Sequence, residues 1–135
     1  MALNTQISEK VLNAQASVII SMLSSGSCTV YSGAQPPSAD VPVSTQRALL
    51  VLPFSGPAAA APVNGVIRFA QLGPSVVKES GVPTWYRCRS PSGEAVMDGT
   101  VGTVKCNMVL SSASLTEGAN VTISEWSHSL RKTNG

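Results

Sequence analysis

The sequence predicts a mainly β domain: an antiparallel β-sandwich or jelly roll carrying one N-terminal α-helix. Three observations predict it. Helical periodicity ends near Gly26. About seven short runs of alternating or continuous apolar residues follow, separated by Pro, Gly, Asn, Asp and Ser. No βαβ alternation appears that would build a parallel sheet. At 135 residues the chain has the length of one domain. It divides into a helical segment 1–26, a sandwich 27–130 with a long Pro-rich loop 34–46, and a frayed tail 131–135.

In the helical segment Ile7, Val11, Ala14, Val18 and Met22 form an apolar stripe, widened by Ile19 and Leu23. Asn4 or Thr5 would cap it, Glu9 suits the first turn, and Gly26 is placed to end it. The stripe suits packing on the chain's own sandwich or on a neighbour. Next, "SCTVYSG" alternates and stops at Gly33. The "AQPPSADVPVSTQ" stretch has three prolines and no period, so it is an extended surface loop, functional or tied to a partner. "RALLVLPFS" is a buried strand ended by Pro53, "GPAAAAPVNG" a connection of small residues, and "VIRFAQL" another strand. "GPSVVKESGVP" turns the chain into "TWYRCRS". The hairpin turn "SPSG" leads to "EAVMDGTVG", a return strand broken at Asp98-Gly99. "TVKCNMVL" and "NVTISEWSHSL" alternate as the last strands, joined by the turn-rich "SSASLTEGA".

Composition narrows the chemistry. Apolar residues make up 43% of the chain and charged residues only 12%, about half the usual share. A surface of small neutral residues suits a chain that covers itself against neighbours, where desolvating charge is costly. Nine Lys and Arg against seven Asp and Glu leave a net charge of +2, scattered along the chain. Nucleic-acid binding normally needs a stronger basic excess on one face, so none is expected. Cys28, Cys88 and Cys106 form no CxxC pair and read as small buried hydrophobes in a reducing compartment. The start has no secretory pattern, and no apolar run is long enough to span a membrane.

No catalytic constellation stands out. His128 is the only histidine, and Ser127 and Ser129 beside it point to the other face of a strand. The seven carboxylates are isolated, without the close spacing of a calcium loop, and no phosphate loop is present. The expectation is no enzyme, no metal and no cofactor.

What remains is the pair of tryptophans with their arginines. On a strand, Trp85, Arg87 and Arg89 share one face, while Tyr86 and Cys88 share the other and point into the sandwich. Trp85, Arg87 and Arg89 then meet the helix, a second copy or a partner, because Trp and Arg are enriched together at interfaces; ordinary sheet packing is the competing reading. The candidate interface residues are Trp85, Arg87, Arg89 and Trp126, the loop residues Pro36, Pro37, Val41 and Pro42, and the tail residues Arg131 and Lys132.

The segments "CTVYSGAQPPSADVPVSTQRALLVLPFS", "GVPTWYRC", "EAVMDGTVG" and "LTEGANVTIS" resemble a family of small phage head proteins. The resemblance runs over roughly residues 5–125. It is nearest the capsid cement proteins of short-tailed phages, whose fold is a jelly roll. It implies a structural virion protein made in the host cytoplasm and seated on the outer capsid surface. Its partners would be the major capsid protein and a second copy of itself, as a homodimer on local two-fold axes. It would clamp adjacent capsomers without touching nucleic acid or membrane. Carried onto this chain, the resemblance points to Trp85, Tyr86 and Arg87 and to the loop Gln35 to Thr45. Pro36-Pro37, Cys88 and Arg89 depart from the family pattern. The alternative is another virion part: a head–tail or tail adaptor, or a carbohydrate-binding jelly-roll module.

Overall fold

In the computed structural model, which describes residues 6–54, 56–69 and 75–130, Ser8 starts the helix. Its Oγ accepts the N–H of Val11 at 3.2 Å, satisfying one of the donors a first turn leaves unpaired. The helix α1 spans Glu9–Leu23, shorter than the apolar pattern suggests, with its cap at Ser8; Asn4 and Thr5 lie outside the described residues. At its end Ser25 takes a left-handed φ of 64° and Gly26 donates to the carbonyl of Leu23 at 2.8 Å. A side chain at Gly26 would collide with the carbonyl of Arg89. Glycine here lets the chain leaving the helix run close beside the strand that carries Arg89.

Nine strands follow among the described residues: β1 Ser27–Ser32, β2 Arg47–Pro53, β3 Val66–Arg68, β4 Ser75–Val76, β5 Trp85–Arg89, β6 Ala95–Gly102, β7 Met108–Leu110, β8 Asn120–Val121 and β9 Ile123–Ser129. Seven of them form one sheet in the order β2-β1-β5-β6-β7-β9-β3, and β4 pairs with β8 in a second. The pairing is antiparallel throughout except between β6 and β7. The large sheet folds over on itself. Tyr86 of β5 meets Trp126 of β9 edge to face at 5.4 Å, although β6 and β7 lie between these strands in the hydrogen-bonded order. The predicted mainly β, sandwich-type fold with an N-terminal helix is the fold observed.

The core between the layers holds Val30, Leu50, Leu52, Ile67, Tyr86, Met108 and Leu110, with Phe54, Phe69 and Trp126 stacked at one side. Trp126 lies 4.1 Å from Phe69 and 5.7 Å from Phe54, near-parallel to both. Tyr86 fits because its cross-strand neighbour is Gly99. A methyl group there would strike the phenol ring. Asp98-Gly99 is therefore no break: it runs through the middle of β6, and Gly99 makes room for an aromatic ring crossing from β5.

The helix packs in a different rotation from the one its stripe suggests. Leu12, Ala16 and Leu23 are fully buried against the sheet, with Ile19 and Ile20 beside them. Val11, Val18 and Met22 face outward, at 44, 58 and 48% exposure. Two apolar rows compete on this helix, and the row with the bulkier leucines and isoleucines buries more area per turn. Asn13 fixes the choice: its Oδ1 accepts the N–H of Gly65 at 2.9 Å. Asn64 and Gly65, with φ of 53° and 72°, make the tight turn before β3, with Val63 and Val66 bridged across it. The Asn-Gly signal for this hairpin lay inside what the sequence suggests is a plain connection. That connection also delivers Ala58 to the core, where its N–H meets Ser24 Oγ at 3.2 Å.

Residues 103–107 also differ from expectation. The strand predicted over "TVKCNMVL" survives only as Met108–Leu110, and β7 pairs parallel to β6, Val101 opposite Met108. Parallel neighbours usually need a crossover of a dozen or more residues. Here the reversal is held by Thr100 and Asn107. Asn107 Oδ1 accepts from the N–H and the hydroxyl of Thr100 at 3.0 and 3.1 Å, and Thr100 Oγ1 accepts from the N–H of Asn107 at 3.0 Å. Lys105 supplies a left-handed residue, φ 51°, between them.

Candidate protein-binding surface

Strands β1 and β5 are buried on both faces, so the outer face that carries Trp85 is itself a packed layer. In register, Thr29 faces Arg87 and Tyr31 faces Trp85 across β1–β5, and Arg87 faces Asp98 across β5–β6. The Tyr31 and Trp85 rings stack at 4.4 Å and 14°. The Arg87 guanidinium sits over the Trp85 ring at 5.4 Å, and that of Arg89 over the Tyr31 ring at 5.9 Å. Arg89 also donates to the Tyr31 hydroxyl at 2.8 Å. The result is a continuous ladder, Arg89–Tyr31–Trp85–Arg87–Asp98.

Its charged end is enclosed. Arg87 Nε and NH2 donate to the two carboxylate oxygens of Asp98 at 2.7 and 2.9 Å, and the side chains are only 3 and 5% exposed. Hydrogen bonding to Asp98 raises the Arg87 guanidinium above its ordinary value, against the opposing effect of burial. A pair this enclosed stays favourable only with good geometry and satisfied neighbours. NH2 also donates to the carbonyl of Ser38 at 3.4 Å.

That last bond ties down the proline loop. Ser38 starts a turn in which its Oγ accepts the N–H of Asp40 at 2.9 Å and its carbonyl accepts that of Val41 at 3.1 Å. At the loop base Gln46 Nε2 donates to the Ala34 carbonyl at 2.6 Å, and Gln46 Oε1 accepts the N–H of Ser44 at 2.9 Å. The loop is thus held at its base and middle. Pro36 is buried, while Pro37, Val41 and Pro42 point to solvent.

The sequence-predicted site residues therefore separate into three groups. Trp85, Arg87 and Pro36 are enclosed by the chain's own outer layer, and Arg89 is partly so. Trp126 belongs to the inner aromatic cluster, on the opposite side of β5 from Trp85. Neither tryptophan offers its ring to a partner in this fold. Pro37, Val41 and Pro42 are presented outward, and Arg131 and Lys132 lie outside the described residues. What the sequence left out of the site is the exposed helix row of Val11, Val18 and Met22. These residues belong to the very stripe the helical period marks out, which suited the chain's own sandwich as well as a neighbour and so did not single them out as a contact surface.

No group of three His, Cys, Asp or Glu side chains comes together to hold a metal among the described residues, and no helix there is long and apolar enough to cross a membrane. His128, half-buried opposite Ile67, is pushed down by burial, which favours its neutral ring. A cleft of about 170 Å³ between β3 and β9 is lined by Arg68, Glu125 and Trp126 among others. No protein-family model, curated protein or solved structure matches this chain.

Proposed function

We propose that this chain is a structural protein that binds the surface of another protein, and that its setting is the outer face of a bacteriophage capsid, where it clamps adjacent capsomers. The observation that carries the reading is the exposed apolar row Val11–Val18–Met22 on α1, on a chain in which only 12% of residues are charged. Contiguous exposed apolar side chains on a low-charge surface are the composition of an interaction face. The pinned loop with Pro37, Val41 and Pro42 supports it as a second contact. Its backbone is already ordered by Gln46, Ser38 and Arg87, so docking it costs little further entropy.

The virion setting comes from the resemblance of the segments around Tyr31, Trp85 and Asp98 to capsid cement proteins. A clamp on a symmetric shell gains strength by repetition, since each two-fold-related copy adds its own contacts. At nanomolar affinity each bound dimer contributes about 12 kcal/mol, which must be lost before two capsomers part. The test is to add purified protein to expanded capsids that lack it, sediment them and count the copies retained. Saturation at hundreds of copies per shell, with a raised temperature of capsid rupture, supports the proposal. Retention of only a few copies would replace it with an adaptor at the vertex or tail, and no retention at all would end it.

A further inference from the structure

Cys28 of β1 and Cys88 of β5 stand directly opposite each other, and both side chains are fully buried on the core face of the sheet. The phase of the backbone bonds shows which kind of pair they make. Phe54 donates to the carbonyl of Gly26, and Val101 to that of Thr84. Along the antiparallel ladders this turns the amides of 28 and 30 toward β2 and those of 86 and 88 toward β6. Cys28 and Cys88 therefore form a non-hydrogen-bonded pair across β1–β5. In such pairs the Cα atoms approach to about 4.5 Å and the side chains are at their closest. A disulfide spans about 4.4 to 6.8 Å between Cα atoms, so a pair of this kind falls within the permitted range.

We propose that Cys28 and Cys88 are a reversible cross-strand disulfide site, closed by exchange with a low-molecular-weight disulfide. One cysteine thiolate attacks a sulfur of the oxidant and expels one small thiol. The other thiolate then attacks the protein sulfur of that mixed disulfide and expels the second. Two protein thiols lose two protons and two electrons to become one disulfide, and the oxidant is reduced to two thiols. Burial raises the Cys28 thiol well above its ordinary value, and its hydrogen bond with Cys88 adds to the rise. Exchange therefore runs during folding or on opening of β1 from β5, and the closed sheet protects whichever state it holds. Excess thiol reverses both exchange steps and returns the pair to two thiols. Once formed, it joins the strand of Tyr31 to the strand of Trp85 and Arg87 and encloses the proline loop.

Cys106 is the built-in control: it is half-exposed, on the β6–β7 connection, with Sγ donating to the Val104 carbonyl at 2.9 Å. The experiment is refolding of the full chain in glutathione buffers of graded ratio, acid quench, alkylation of free thiols, and peptide mapping by mass spectrometry. The expected result is a Cys28–Cys88 peptide pair with Cys106 alkylated or glutathionylated, and an unfolding midpoint roughly 5 to 10 °C above the reduced protein. Dithiothreitol should reverse both. The same pair should form in Cys106→Ser protein, which removes the competing thiol. Recovery of Cys28 and Cys88 as free thiols at every ratio, while Cys106 reacts, would overturn the proposal. So would pairing of either with Cys106, or an oxidised form that melts below the reduced one.

Discussion

Arg87 grips both carboxylate oxygens of Asp98 across the β5–β6 ladder, at 2.7 and 2.9 Å, and its NH2 also donates to the Ser38 carbonyl of the proline loop. One buried ion pair thus couples the sheet to the loop. Asp98→Ala would leave an uncompensated guanidinium in a site only 3% exposed and should destabilise the fold by about 3–5 kcal/mol. Replacing both partners, Arg87→Met with Asp98→Leu, should recover most of that loss. Urea unfolding measures the first effect. Amide exchange at Asp40 and Val41, faster in the double variant, would show that the loop has lost its anchor.

Trp85 should behave as a core residue although it lies on the outer side of β5. It is fully buried and stacked on Tyr31, so Trp85→Ala should cost about 3–5 kcal/mol. Trp85→Phe keeps the stack and removes an indole N–H that has no hydrogen-bond partner among the described residues. Relief of that unpaired donor offsets part of the lost volume, and the cost should stay below about 1.5 kcal/mol. Thermal unfolding of the two variants checks the order.

The exposed helix row should show the opposite balance. Val18→Ser and Met22→Ser alter side chains that are 58 and 48% exposed, so each should change stability by no more than about 0.5 kcal/mol. If these residues dock on a partner, each should weaken capsid binding about tenfold, the equivalent of losing roughly 1.4 kcal/mol of apolar burial. Sedimentation with capsids, run beside thermal unfolding, separates the two quantities.

His128 gives a pH dependence of defined sign. Burial lowers its pKa below the ordinary 6.5, so the unfolded chain takes up the proton first as pH falls. The stability due to the neutral ring is present above the unfolded value and is lost between that value and the lower native one. Between pH 7.5 and pH 5.5 the wild type should lose more thermal stability than His128→Gln. Equal losses would show that other groups govern this range.

The fold class was legible because period and turn residues carry it. β1, β2, β5 and β9 fall where alternation and Pro or Gly stops place them, and Tyr86 and Cys88 face the core as the strand period requires. Failures came where a local pattern had two solutions. On α1 two apolar rows compete, and only tertiary contacts at Asn13, Gly65 and Leu12 decide between them. The Arg87–Asp98 pair was hidden by register: a four-residue "SPSG" loop would set Arg87 opposite Val96. A shift between Cys88 and Arg89 moves the ladder and brings Asp98 across instead. The Thr100–Asn107 bonds that permit a parallel β6–β7 pair leave no periodic trace at all. Trp85 is stacked on Tyr31 and lies under Arg87, which the loop holds through Ser38, a long-range contact that strand periodicity does not encode.

The outward helix row and the pinned proline loop are the surfaces proposed to meet a capsid. A cryo-electron-microscopy map of capsids carrying this protein tests this most directly. The account predicts ordered copies spread over the shell, each bridging two capsomers, with Val11, Val18 and Met22 or Pro37, Val41 and Pro42 buried in the contact. Copies confined to one vertex, or copies across the shell in which both surfaces remain in solvent, would contradict it.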